Sequence, residues 1–512
     1  MPRPLNLSWK NVAVIVLLAG VALTAAFSAQ ERAAGFRELY DEYSIILPAV
    51  GHLMGDPLPL LHYPEFTYLF YSYVFRAAHA LGQLKPDGFL DAARFANHLL
   101  YLINIFLFFA ALRLYFRPFY ALLGAFLFAF SPAIYYSGAV VKTESLTLVW
   151  ILLSLLVAHR IRQEPRALLW HALAAFLSAM AVSTKYNPVP MAIWLCAWTA
   201  GEWEGIAQWR NMARNMLFSA RPWVFTAVFA VVLLIFGKNA LFGQRPDWFV
   251  TGEAAFLPFP NFLRSVPGWM TFPYGRWSYG LLFVLPFAAG LWNLVVAFPA
   301  TVRKSPPREF LWIWGASLAP YFIATTLYTW SRASWFFSPM MPFVIAAGLF
   351  LYRDLLESSR SAGFRAGGVL AVFVALGMSA AQYPSNLDMI AGIITVGVEM
   401  SGPASEDGQG VVPVKLITNA GVKGQGLNPG HPASDILARQ PESVLLLDSY
   451  AFNFLKFPSG SEEKKEGEIL KELMEGKHGY EVKRKKSLDF FRINLTFDPE
   501  ASMTYYYLVR EH

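Results

Sequence analysis

Apolar residues in this chain arrive in blocks of about eighteen to twenty-two, the length at which an α-helix crosses roughly 30 Å of hydrocarbon. No other feature constrains the fold as much. In lipid every backbone N–H and C=O must be bonded within the protein, so repeated blocks of this length specify a bundle of membrane-spanning helices. Candidate spans lie at 11–29, 93–115, 119–137, 145–159, 167–184, 188–201, 222–240, 278–300, 309–327, 335–352 and 366–381, which makes about eleven helices by hydropathy. Composition agrees: 55% of the 512 residues are hydrophobic and 15% charged, against roughly 25% charged in a soluble domain.

The net charge of +7 does not indicate a nucleic-acid partner, because the basic residues sit in short clusters between apolar blocks. Arg3 and Lys10, Arg113 and Arg117, Arg160 to Arg166, Arg210 to Arg221, Arg303 to Arg308, and Arg353 to Arg365 alternate along the chain as cytoplasmic ends should. With an odd number of spans the N-terminus is then cytoplasmic and the C-terminal segment extracytoplasmic, as in a multi-pass protein of a bacterial inner membrane. Residues 1–30 also have the layout of a signal peptide, although the run from Asn11 to Ala29 is long for one and favours a retained first helix. A single cysteine, Cys196, excludes an intrachain disulfide framework.

This topology predicts a transmembrane domain over 1–383 with outer loops at 30–91 and 241–277, and an extracytoplasmic soluble α/β domain over 384–512. The segment from Phe66 to Gly82, FTYLFYSYVFRAAHALG, reads either as a helix lying in the membrane interface or as a buried core helix. Prolines at 246, 258, 260, 267 and 273 prevent the second loop from forming one regular helix. In the C-terminal region 412–419, 443–450, 479–486 and 503–510 read as strands, and Glu462 to Lys477 as an amphipathic helix.

Ionisable residues at the outer ends of spans are the candidates for chemistry. Asp41 and Glu42 are adjacent carboxylates in the first outer loop, followed by an apolar stretch whose partial desolvation would suit general-base work; a solvated loop is the plainer reading. His62, Tyr63 and Glu65 gather around Pro64, as chemistry or as an interfacial turn. Lys142 and Glu144 stand at the mouth of the bundle, two apart and therefore on different helix faces, where an ionisable group calls for a partner or a cavity. Lys185 and Arg332 either anchor helix ends or grip a phosphate, lysine as a point charge and arginine through two hydrogen bonds. No spacing matches a metal-ligand motif or a nucleotide-binding glycine loop.

Taken in order, Asp41-Glu42, His62-Tyr63-Pro64, Ser131-Pro132 with Glu144 after it, Thr184-Lys185-Tyr186, and Arg332 followed by Pro339 and Pro342 resemble the GT-C superfamily of membrane glycosyltransferases. The likeness is to the protein O-mannosyltransferase and aminoarabinose-transferase branch and covers about the first 350 residues. It implies a mostly α, GT-C-like bundle that transfers a sugar, with inversion, from a polyprenyl-phosphate donor to a lipid, glycan or protein acceptor on the outer face. It also implies Asp41 as base, Glu42 orienting acceptor or donor, Lys185 and Arg332 on the donor phosphate, and Glu144, His62, Tyr63, Tyr186 and Lys142 lining the acceptor cavity. Pro64 is followed by Glu65 where relatives often carry a second proline, which weakens transfer of a role to His62. No cofactor is specified, and a divalent cation is compatible with such a site. The rival expectation is a transporter or lipid flippase, which also keeps ionisable groups at a membrane mouth.

Overall fold

A computed structural model describes residues 9–34, 40–55, 63–84, 88–185, 187–202, 214, 218–237, 341–356, 432–440, 443–447, 461–487 and 504–511. The expected spans at 278–300, 309–327 and 366–381, the loop at 241–277, the strand at 412–419, and His62, Tyr186 and Arg332 lie outside the described residues. The described chain is mostly helical. Its bundle contains α1 (Trp9–Ala34), α2 (Tyr40–Leu53), α3 (Glu65–Ala80), α4 (Phe89–Arg113), α5 (Pro118–Ala129), α6 (Pro132–Ala139), α7 (Thr143–Gln163), α8 (Leu168–Lys185), α9 (Val189–Glu202), α10 (Ala220–Phe236) and α11 (Met341–Leu356).

Among the described residues α4, α7 and α8 are long and apolar enough to cross a membrane, and α1, α5, α10 and α11 contain shorter apolar stretches. Helix α4 shows how sequence sets orientation. Phe95, Leu99, Ile103 and Phe106 fall on one face and are exposed, while Asn97, Tyr101, Asn104 and Phe108 fall on the other and are buried. A polar interior beneath an apolar exterior is the arrangement lipid demands.

The sequence reading of one span over 119–137 gives way to two helices. Helix α5 stops at Ala129 and α6 starts at Pro132, because proline has no N–H to give and fits the first helical position. Helix α6 packs close to α4: a Cβ on Gly138 would lie 2.6 Å from Cγ of Tyr101. Helix α2 is an addition to the sequence reading, a helix with Pro48 inside it; the Ser72 hydroxyl of α3 donates to the Ala49 carbonyl at 2.7 Å and ties the two together. The expected helix over 66–82 is α3, and its buried Tyr68, Tyr71 and Phe75 pack it into the bundle against α4 and α8.

Farther along, α12 (Pro432–Arg439), β1 (Ser443–Leu447), α13 (Ser461–Met474), β2 (Tyr480–Ser487) and β3 (Thr504–Arg510) share a small core of Ile436, Val444, Leu446, Leu470, Leu473 and Leu508. The strands form an antiparallel sheet in the order β1-β3-β2. Glu466 of α13 is buried and accepts the backbone N–H groups of Ala433 (2.7 Å) and Ser434 (3.1 Å), capping α12 from outside its own sequence.

Candidate active site

One end of the bundle collects the start of α4, the start of α7 and the end of α8; α2 packs on α3 and α4, and α3 on α4 and α8. The opposite ends of the same helices carry Arg113, Arg117, Arg160, Arg162 and Arg166. Among the described residues, Glu42, Tyr63, Lys142, Glu144 and Lys185 therefore share an end, and Arg113, Arg117, Arg160, Arg162 and Arg166 share the other.

Glu42 lies on the first turn of α2 with its side chain 0% exposed. Arg94 of α4 grips it through two hydrogen bonds, Nε to Oε1 at 2.9 Å and Nη2 to Oε2 at 2.7 Å. The backbone N–H of Val141 adds a third at 2.9 Å. A forked guanidinium bound to both carboxylate oxygens fixes direction as well as charge. This clamp sets where the backbone of Asp41, one residue earlier, stands. The Asp41 side chain itself is outside the described residues.

The segment between α6 and α7 is held just as firmly. Asn97 Nδ2 lies 2.6, 3.1 and 2.7 Å from the carbonyls of Ser137, Gly138 and Val140. Asn104 donates to the Ser145 carbonyl at 2.7 Å, and Ser145 Oγ to the Ser137 carbonyl at 2.7 Å. Carbonyls freed where a helix breaks need such donors inside a membrane protein. Lys142, at the cap position of α7, and Glu144, in its first turn, are thereby held at this end, and both are buried.

Helix α8 ends at Lys185 because Asn187 and Pro188 follow. The residue before a proline avoids helical geometry, and Asn187 Oδ1 accepts the N–H of Val189 at 2.9 Å to open α9. The last turn of α8 is pinned by Thr67 Oγ1, which donates to the Thr184 carbonyl at 2.7 Å, and by Trp150 Nε1, which donates to Thr184 Oγ1 at 3.1 Å. So placed, Lys185 forms an ion pair with Glu144. The other oxygen of Glu144 faces the Thr143 hydroxyl at 3.3 Å.

Tyr71 of α3 is fully buried, its phenol oxygen without a hydrogen-bond partner among the described residues. Burial first, then the Glu42 and Glu144 carboxylates, hold this phenol well above its ordinary pKa, so it is a neutral O–H donor. Tyr63 is half-buried beside the same cluster, where its backbone N–H meets the Tyr68 hydroxyl at 3.2 Å. Among the described residues no group of three or more His, Cys, Asp or Glu side chains is placed to hold a metal ion.

The structure thus brings Glu42, Tyr63, Lys142, Glu144 and Lys185 to one end of the bundle. Sequence reasoning did not single out Arg94 or Tyr71. Arg94 had a signal, a cation inside an apolar block; Tyr71 was one more aromatic in an aromatic-rich helix.

Over residues 66–242 the chain matches the family model of dolichyl-phosphate-mannose-protein mannosyltransferase. The match takes in 177 of the 512 residues. It runs from the first turn of α3 to just past α10 and includes Glu144 and Lys185. The match agrees with the glycosyltransferase expected from the sequence, and three described helices are long and apolar enough to cross a membrane. Similar solved structures include ArnT from Cupriavidus metallidurans bound to undecaprenyl phosphate, 15% identical over 86% of this chain and 94% of that one, with a TM-score of 0.47. The oligosaccharyltransferase of Archaeoglobus fulgidus in the apo form is 13% identical over 74% of this chain and 56% of that one, with a TM-score of 0.46. AglB from Archaeoglobus fulgidus with an inhibitory peptide and a dolichol-phosphate is 14% identical over 73% and 56%, with a TM-score of 0.41. No curated protein sequence matches.

Proposed function

We propose that the chain transfers a sugar from a polyprenyl-phosphate donor to an acceptor hydroxyl on the extracytoplasmic face of the membrane. The observation that carries this reading is the family match over 66–242, because the matched stretch contains the Glu144–Lys185 pair at the end of the bundle remote from the basic clusters. By the positive-inside rule that end is extracytoplasmic.

In the proposed reaction the acceptor oxygen attacks the anomeric carbon as its proton passes to the Asp41 carboxylate. The bond from that carbon to the phosphate oxygen breaks, and its electron pair leaves with the lipid phosphate. A single displacement inverts the anomeric centre. Lys185, with Arg332, stabilises the charge that grows on the leaving phosphate. Glu42 acts through structure: held by Arg94 and the Val141 N–H, it fixes the turn of α2 that carries Asp41. Lys142, Glu144, His62, Tyr63 and Tyr186 line the acceptor side. Residues 384–512 form the outer domain that meets the acceptor, whether lipid, glycan or protein.

The test is a transfer assay with the purified protein, polyprenyl-phosphate sugars and a panel of hydroxyl acceptors. Wild type should release free polyprenyl phosphate and glycosylated acceptor in equal amounts, and Asp41→Asn should lose transfer by at least a hundredfold, the contribution of a general base being about 10²–10⁴. Full turnover in Asp41→Asn removes that residue as base. Vectorial movement of intact donor without transfer would replace the enzyme reading with the transporter.

A further inference from the structure

Arg94 and Asn97 stand three apart on α4, share a face of the helix and are both buried. Arg94 holds the two oxygens of Glu42 at 2.9 and 2.7 Å, and Asn97 Nδ2 lies 2.7 Å from the Val140 carbonyl. That carbonyl and the N–H of Val141 belong to one peptide group, and the N–H donates to Glu42 Oε1 at 2.9 Å. A peptide group is planar, and in the trans form its C=O and N–H point in opposite directions. One rigid plate is therefore gripped by Asn97 at one edge and by Glu42 at the other. Helix α4 reaches α2 through this plate as well as through Arg94.

The Oδ1 of Asn97 is buried without a hydrogen-bond partner among the described residues, so the Nδ2 donor must offset the cost of burying the amide. Nδ2 carries two hydrogens and faces three carbonyls, those of Ser137, Gly138 and Val140. The Ser137 carbonyl also has Ser145 Oγ at 2.7 Å, so loss of Asn97 falls mainly on Gly138 and Val140. Neighbouring parts of the site have ties of their own. Asn104 holds the start of α7 through the Ser145 carbonyl, and Thr67 and Trp150 hold the end of α8 through Thr184. Without Asn97 the Glu144–Lys185 pair keeps its supports, while the Val140–Val141 peptide is free to turn its N–H away from Glu42.

Resting on the proposed roles of Asp41 and Lys185, we infer that Asn97 is a positioning residue: by holding the Val140–Val141 peptide against Glu42 it fixes the first turn of α2, and with it the backbone of Asp41, relative to the Glu144–Lys185 pair. It acts through the peptide and not by contact with sugar or phosphate. Its removal loosens the base side and spares the donor side, so transfer slows while donor binding is preserved.

Steady-state transfer from the polyprenyl-phosphate sugar and titration of undecaprenyl phosphate, both on the full-length protein in nanodiscs, test this. Asn97→Leu fills the space without a donor and should lower kcat about tenfold, less than the roughly hundredfold cost of a displacement of about 1 Å, because Glu42 keeps Arg94. KM for the lipid donor and affinity for undecaprenyl phosphate should stay within about twofold of wild type. In a Glu42→Leu/Arg94→Met background the peptide N–H has no carboxylate to meet, and the further Asn97→Leu substitution should change kcat by less than about twofold. Asn97→Ser, a milder loss of the same donor, should show the same pattern where Asn97→Leu yields too little folded protein. Trp194→Phe deletes a 2.9 Å hydrogen bond to His171 between α8 and α9 and should lose stability without the fall in kcat. Unchanged kcat in the Asn97 variants overturns the inference, as does a matching loss of lipid affinity, the full tenfold loss in the Glu42→Leu/Arg94→Met background, or an equal fall of kcat in Trp194→Phe. Absence of transfer by wild type, or full turnover in Asp41→Asn, overturns the role of Asp41 and the inference with it.

Discussion

Replacing Arg94 with methionine removes both hydrogen bonds that the guanidinium makes to Glu42, a carboxylate that is 0% exposed. Breaking one half of a buried ion pair costs about 3–5 kcal/mol, because the surviving charge is uncompensated. That is a large share of the roughly 5–15 kcal/mol by which folded domains exceed their unfolded states. Removing both partners, Glu42→Leu with Arg94→Met, leaves neither member of the ion pair without its counter-ion and deprives the Val141 N–H of its acceptor, a cost of about 1–3 kcal/mol. The double variant should therefore be more stable than the single one. Reversible unfolding in mixed micelles measures both against wild type. The reasoning is refuted if Arg94→Met falls within about 1 kcal/mol of wild type, or if the double variant is destabilised by the sum of the two single losses.

Two further substitutions probe packing and capping. Gly138→Ala would place a Cβ 2.6 Å from Cγ of Tyr101, whose hydroxyl is held by the Ala129 carbonyl; overpacking of this kind costs about 1–3 kcal/mol and should appear as a lower unfolding midpoint. Glu466→Ala takes the acceptor from the N–H groups of Ala433 and Ser434. Loss of a helix cap costs about 1–2 kcal/mol, so amide hydrogens within 432–440 should exchange several-fold faster while those of α4 are unchanged.

Much of this molecule is legible from local pattern. The blocks behind α1, α4, α7, α8 and α10 announce themselves by length and apolarity, and β1, β2, β3 and α13 by alternation and amphipathicity. Helix α2 was harder to see, since Pro48 and Gly51 are breakers by propensity and the packing of α3 and α4 overrides them. The split between α5 and α6 was signalled by Pro132 within an apolar run that otherwise looks continuous. For the site, residue types and sidedness were readable while partnerships were not. Glu144 and Lys185 are 41 residues apart, and Arg94 and Glu42 are 52 apart; no periodicity links positions brought together by helix packing. That the Tyr71 phenol has no hydrogen-bond partner among the described residues is a property of three-dimensional surroundings alone, invisible in a helix that already holds Tyr68 and Tyr73.

Photo-crosslinking with an undecaprenyl phosphate analogue that carries a diazirine beside the phosphate asks most directly where the lipid head binds. Peptide mapping should place the label around Lys185 and Arg332, with labelling suppressed by excess unmodified lipid and reduced in Lys185→Ala. Label concentrated instead on Arg113 to Arg117 or Arg160 to Arg166, at the far end of the same helices, would contradict the account.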